Sequence, residues 1–141
     1  MSAAKVAIVG AAETTALGRI PQMSQIQLHA DAALNALADA GLTLKDIDGV
    51  ATAGESPTAV AHYLGIAPNW VDGTAVGGCS FMLHVRHAVA AIESGLCQCV
   101  LITHGESGRS NVGRAGWGSS PGSLSGQFES PFGGMVPTTL F

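Results

Sequence analysis

At 141 residues the chain is long enough for one ordinary domain with a core of its own. Only 11% of it is charged, against roughly 25% in a typical soluble domain, and Gly, at 19 residues, is near twice its usual share. So little polar surface predicts an exterior that meets more protein, as an oligomer partner or a missing C-terminal half, while a net charge of −4 with six scattered Lys and Arg argues against nucleic acid or an anionic membrane.

In chain order, "KVAIVG", residues 5–10, is a short apolar β-branched run stopped by glycine and reads as a buried strand. Glu13 ends the apolar stretch too early for a signal peptide, and no run is long enough to span a membrane, so a cytoplasmic protein is expected. After Ser24, a fitting N-cap, the residues Ile26, Ala30, Ala33, Leu34, Leu37 and Ala40 keep helical spacing up to Gly41, a C′ glycine. "DGVATAG" around Val50 predicts a second strand, Pro57 to Gly65 a short helix, and "WVDGTAV", residues 70–76, a third strand. A third helix follows Cys79, with Phe81, Val85, Ala88, Val89 and Ile92 as its buried stripe, and "CQCVLITH" ends the series as a fourth strand. The alternation is that of an α/β domain with a mostly parallel sheet, spanning residues 1–104.

From Gly105 to Gly126 the periodicity dissolves into Gly and Ser interrupted by Arg109, Arg114 and Trp117, which reads as a folded covering loop. The region 105–141 closes on the apolar, Pro-bearing "FESPFGGMVPTTLF", so the sequence is read as a fragment that would be inactive alone.

The chemistry-bearing residues fall at strand ends. Neither G-x-G-x-x-G nor a Walker spacing is present, which removes dinucleotide and P-loop readings. His84 and His87 lie three apart without a third ligand, and Cys97 and Cys99 read as small buried residues, so neither zinc nor disulfides are expected. Cys79 stands at a helix N-terminus, where orphan N–H groups and the helix dipole favour a thiolate and an oxyanion, and Gly77 and Gly78 let a substrate approach closely. His104, at a strand end beside Glu106, reads either as support for the glycine-rich loop or as a site residue.

Together, "KVAIVGAAETTALGR", "ADAALNALADAGLTLKDIDGVATAG", "GGCSFMLHVRHAVAAIESG", "CQCVLITHGE" and "QFESPFG" resemble, in order, the N-terminal half of the thiolase superfamily, nearest its lipid-transfer and acetyl-CoA acetyltransferase branch. The resemblance implies a layered α-β-α-β-α fold when complete, a homodimer or larger oligomer, and acyltransferase or lyase chemistry on acyl-CoA thioesters in lipid or steroid side-chain metabolism. The coenzyme A thioester enters as substrate, with no separate cofactor. One side branch cleaves by retro-aldol chemistry, lacks the cysteine nucleophile and works with a small OB-fold partner protein; a non-catalytic acyl-CoA or lipid binder is the alternative function. By the same resemblance Cys79 is the catalytic candidate, and Gly77, Gly78, Ser80, His104 and Gly105 are the substrate-binding ones. Laying Ile92 and Gly95 on the family's helix positions places the nucleophile at Gly78, and one residue at a helix start rotates a side chain by roughly 100°. The expectation is therefore that Cys79 is a small pocket-wall residue.

Overall fold

The computed structural model describes residues 6–112, 122–128 and 132. Three parallel strands carry it: β1 (Gly49–Ala53), β2 (Trp70–Asp72) and β3 (Val100–His104), in the order β2-β1-β3. The register pairs Gly49 with both Trp70 and Val100 and runs to Ala53 opposite His104. Every residue of β1 is buried, as the middle strand of a sheet covered on both faces requires.

Helix α1 (Gln25–Ala40) forms where the spacing predicts, because both its ends are specified locally. At the start a capping box closes: the Gln27 N–H donates to Ser24 Oγ, and the Ser24 N–H donates to Gln27 Oε1 at 2.8 Å. At the end Gly41 adopts φ 67°, and the Leu42 N–H reaches back to the Leu37 carbonyl at 2.9 Å. Helix α2 (Pro57–Leu64) begins with Pro57 and stops at Gly65 in the same left-handed way. Ala33 and Leu37 of α1, Val60 and Ala61 of α2, Ile47, Ile66, Val50 and Leu101 form one apolar core between the two helices and the sheet. Helix α3 (Ser80–Glu93) returns the chain from β2 to β3, and right-handed crossovers put it on the opposite face. Its buried residues are Ser80, His84, Ala88 and Ala91, so the buried stripe is rotated from the expected one, and Phe81, Val85, Val89 and Ile92 flank it half-buried. The short helix α4 (Leu124–Phe128) and a 3-10 turn at Gly108–Ser110 lie in and beyond the glycine-rich segment, whose residues 113–121 fall outside the described ones.

Two strand expectations change. Residues 6–10 are not in a strand: Ile8 is 77% and Val9 63% exposed, and the chain beside them is held by α1 side chains instead of a neighbouring strand. Asp39 accepts from the Ala11 N–H at 3.0 Å, Asp31 from the N–H and hydroxyl of Thr15 at 2.7 and 2.9 Å, and Asn35 donates to the Glu13 carbonyl at 3.0 Å. The second change is at β2, which stops at Asp72. There the Asp72 carboxylate accepts from the Thr74 N–H and hydroxyl at 2.9 and 2.6 Å, folding the chain into a turn that breaks the ladder.

Asp48 ties the amino ends of all three strands together. Its carboxylate accepts from the N–H groups of Gln98 and Cys99, the latter at 2.8 Å, and its carbonyl accepts from Asn69 at 2.7 Å. Its own N–H donates to the Cys99 carbonyl at 3.2 Å.

Candidate active site at the switch of the sheet

From central β1 the chain crosses one way to β2 and then back over to β3, so the strand order reverses between β1 and β3. In such a sheet the crevice beyond the carboxyl ends at the reversal is where ligands bind. Ala53-Gly54-Glu55 and His104-Gly105-Glu106 leave the sheet there side by side.

His104 bridges them. Its Nδ1 lies 3.3 Å from the Ala53 carbonyl and its Nε2 3.3 Å from Glu106 Oε2. The start of α3 reaches the same place, since the Phe81 ring meets His104 edge-on at 4.9 Å and His84 at 5.9 Å. Behind them stands His29 of α1, fully buried, its Nδ1 2.8 Å from the Thr103 hydroxyl and its ring 6.3 Å from that of His104. Burial, helped by the neighbouring charge of His104, lowers the His29 pKa from 6.5 to about 4, so the ring stays neutral. Its Nε2 has no partner, which favours the tautomer with the proton on Nδ1, because a lone pair is cheaper to bury than an unpaired N–H. Gly105 is obligatory: a Cβ there would run into the His29 ring and come within 2.6 Å of the Gln25 carbonyl. A cleft of about 480 Å³ opens beside this cluster, between His104, Glu106 and the edge of β3 on one side and Gly10–Thr14 on the other, over Ala32, Ala33 and Ala36.

The turn before α3 holds the remaining expected site residues. Gly77 takes φ 83°, and neither Gly77 nor Gly78 has any atom within 4 Å of the position a Cβ would take, so this stretch of backbone is open to an approaching ligand. Cys79 is exposed at the N-cap position, and its thiol donates to the Val76 carbonyl at 3.6 Å, away from any base. Ser80 is buried: its hydroxyl donates to the Gly77 carbonyl at 2.6 Å and accepts from the Val76 N–H at 3.0 Å. Ser80 therefore shapes the turn from inside.

His84 and His87 are not brought together as a ligand pair. His84 Nε2 donates to the Thr74 carbonyl at 2.9 Å, and His87 Nδ1 pairs with Asp72 at 2.7 Å in a separate groove along β2. Thr74 and His87 hydrogen bonds hold the Asp72 carboxyl below its usual range against a desolvation that pushes the other way. Cys97 is buried and Cys99 half-buried just before β3, and burial pushes both thiols up. No group of three or more metal-ligating side chains exists among the described residues, and none of their helices is long and apolar enough to cross a membrane.

No protein-family model matches the chain. A 17-hydroxy-3-oxo-4-pregnene-20-carboxyl-CoA lyase of Mycobacterium tuberculosis is 33% identical over 105 residues, 72% of this chain and 27% of that protein. An Ltp2-ChsH2(DUF35) aldolase superposes with a TM-score of 0.67 at 27% identity, over 94% of this chain and 36% of its own. An SCP2-thiolase-like protein type 1 from Mycobacterium smegmatis gives 0.57 at 31% identity, over 67% of this chain and 22% of its own. OleA from Xanthomonas campestris, at 20% identity and 0.55, shares the fold. The chain thus spans roughly a quarter to a third of the length of these relatives. By sequence and by fold together it belongs to the thiolase superfamily.

Proposed function

We propose that this chain forms the switch-point part of an enzyme that cleaves a carbon–carbon bond in an acyl-CoA thioester of lipid or steroid side-chain metabolism. The observation that carries the reading is the placement of His104 and Glu106 at the carboxyl ends of β1 and β3, with Phe81 from the start of α3 against the His104 ring, which sets groups able to move a proton at the border of a cleft. A lyase and an aldolase among the relatives support cleavage over condensation. The thiol geometry supports it too, because Cys79 spends its hydrogen on Val76 and has none of the base contacts that activate a nucleophile. The thioester itself supplies the chemistry, so no separate cofactor is called for. A second copy and a small OB-fold partner complete the assembly, in line with the two-component name of the aldolase neighbour.

The test is Cys79→Ala in the full-length protein. Turnover should stay within roughly tenfold of the parent, about 1.4 kcal/mol of barrier, and mass spectrometry after acyl-CoA treatment should find no acyl group on the thiol. Loss of turnover by several orders of magnitude, or an acylated Cys79, would replace the lyase reading with an acyl-enzyme mechanism.

A further inference from the structure

Helix α3 carries polar side chains at the start of its buried stripe, where apolar ones would pack against the sheet more cheaply. Ser80 and His84 are 1% and 0% exposed, and with half-buried His87 they stand at i, i+4 and i+7 on one face of the helix. All three reach the chain that leads from β2 into α3. His87 Nδ1 lies 2.7 Å from the Asp72 carboxylate, which also accepts from the N–H and hydroxyl of Thr74. His84 Nε2 donates to the Thr74 carbonyl at 2.9 Å, so Thr74 is gripped at both its N–H and its C=O. Ser80 completes the row, its one hydroxyl bonding the Val76 N–H and the Gly77 carbonyl.

Burial makes His84 a costly choice. Its Nδ1 has no partner among the described residues, and an apolar side chain of similar size would fill the place without a buried polar atom. What the histidine adds is the bond to Thr74. The same turn of helix is also registered against the end of β3, because the Phe81 ring meets His84 at 5.9 Å and His104 at 4.9 Å, edge-on to both.

We propose that Ser80, His84 and His87 are positioning residues, a clasp by which α3 fixes residues 72–79, and that His84 sets the place of the Gly77 and Gly78 backbone relative to His104. This deepens the functional reading above and rests on it for one point, that an acyl-CoA thioester lies against this turn. Gly77 takes φ 83°, and two successive glycines leave a backbone many conformations, so the shape of the turn is imposed from the helix. Placement of this kind bears on rate, since a displacement of about 1 Å in a reacting geometry can cost roughly 10²-fold.

The experiment reads the turn twice in the full-length protein: by the rate at which iodoacetamide alkylates Cys79, the exposed thiol at the end of the turn, and by turnover of an acyl-CoA. His84→Leu keeps an apolar side chain of comparable volume and removes the donor. Alkylation of Cys79 should then rise several-fold while buried Cys97 stays as slow as in the parent, and kcat should fall roughly 10–100-fold. His84→Gln returns an N–H donor toward Thr74 and should recover most of both losses. Ser80→Ala, smaller by one oxygen, should show the same change in lesser degree and decides the matter if His84→Leu does not fold. Parent-like alkylation of Cys79 in these variants overturns the clasp, as does a general loosening in which Cys97 reacts along with Cys79 and Gln restores nothing. If Cys79 alkylation rises and kcat holds at the parent value, the tie between His84 and the reaction is overturned. If the parent turns over no acyl-CoA, the functional reading falls, and the alkylation rates alone uphold or overturn the clasp.

Discussion

Gly105 has no room for even a methyl group, since the His29 ring and the Gln25 carbonyl occupy the space a Cβ would need. Backbone cannot give way as a flexible side chain can, so Gly105→Ala should cost about 1–3 kcal/mol in urea denaturation, the usual range for overpacking. His29 adds a pH dependence of its own. Its folded pKa of about 4 lies below the unfolded 6.5, so between these values the unfolded chain binds the proton that the folded chain refuses. Stability from this group is therefore complete above pH 6.5 and falls as pH drops toward 4. His29→Asn should flatten the slope of the denaturation midpoint against pH in that window, and an unchanged slope would show that other groups set it. None of this was visible as a site in the sequence. His29 falls on the Ala33–Leu37 stripe of α1, and only its polarity among apolar neighbours hinted that it had a partner on β3.

Elements with local punctuation were legible: α1 between Ser24 and Gly41, and α2 between Pro57 and Gly65, carry their own start and stop signals. What depends on neighbours was not. "KVAIVG" has the composition of a strand, but a strand exists only where a ladder partner lies alongside; the backbone after it is instead hung from Asp31, Asn35 and Asp39. Cys79 drew attention as a lone thiol at a helix start, whereas the groups that converge on the switch of the sheet come from three separate elements, a convergence no spacing records. Asp48 was missed for the same reason, its partners lying about 50 residues away along the chain. Because the carboxylate takes N–H groups from two successive residues, Asp48→Ala should cost about 1.5–3 kcal/mol, the range for hydrogen bonds to a charged group. Hydrogen exchange should speed at Gln98 and Cys99 ahead of the rest of the sheet.

For the molecule as a whole, the outer edge of β3 is the exposed hazard. Among the described residues no strand pairs there, and the flanking segment presents Ile8 and Val9 to solvent. Sedimentation velocity on the 141-residue chain should show association that grows with concentration, and Ile102→Lys on that edge should suppress it. A monomer at every concentration would show that the edge is guarded. The position of Asp48 also bears on how the sheet is assembled. Pairing β1 with β2 closes a loop from residue 49 to 70, while pairing β1 with β3 closes one from 49 to 100. The longer closure costs roughly 0.8 kcal/mol more chain entropy, which favours β2 docking first. The carbonyl of Asp48 accepts at the early junction and its carboxylate at the late one. Removing only the carboxylate should therefore leave nucleation of the β1–β2 pair intact and slow the final zipping of β3, so that one residue marks both the opening and the closing step of folding.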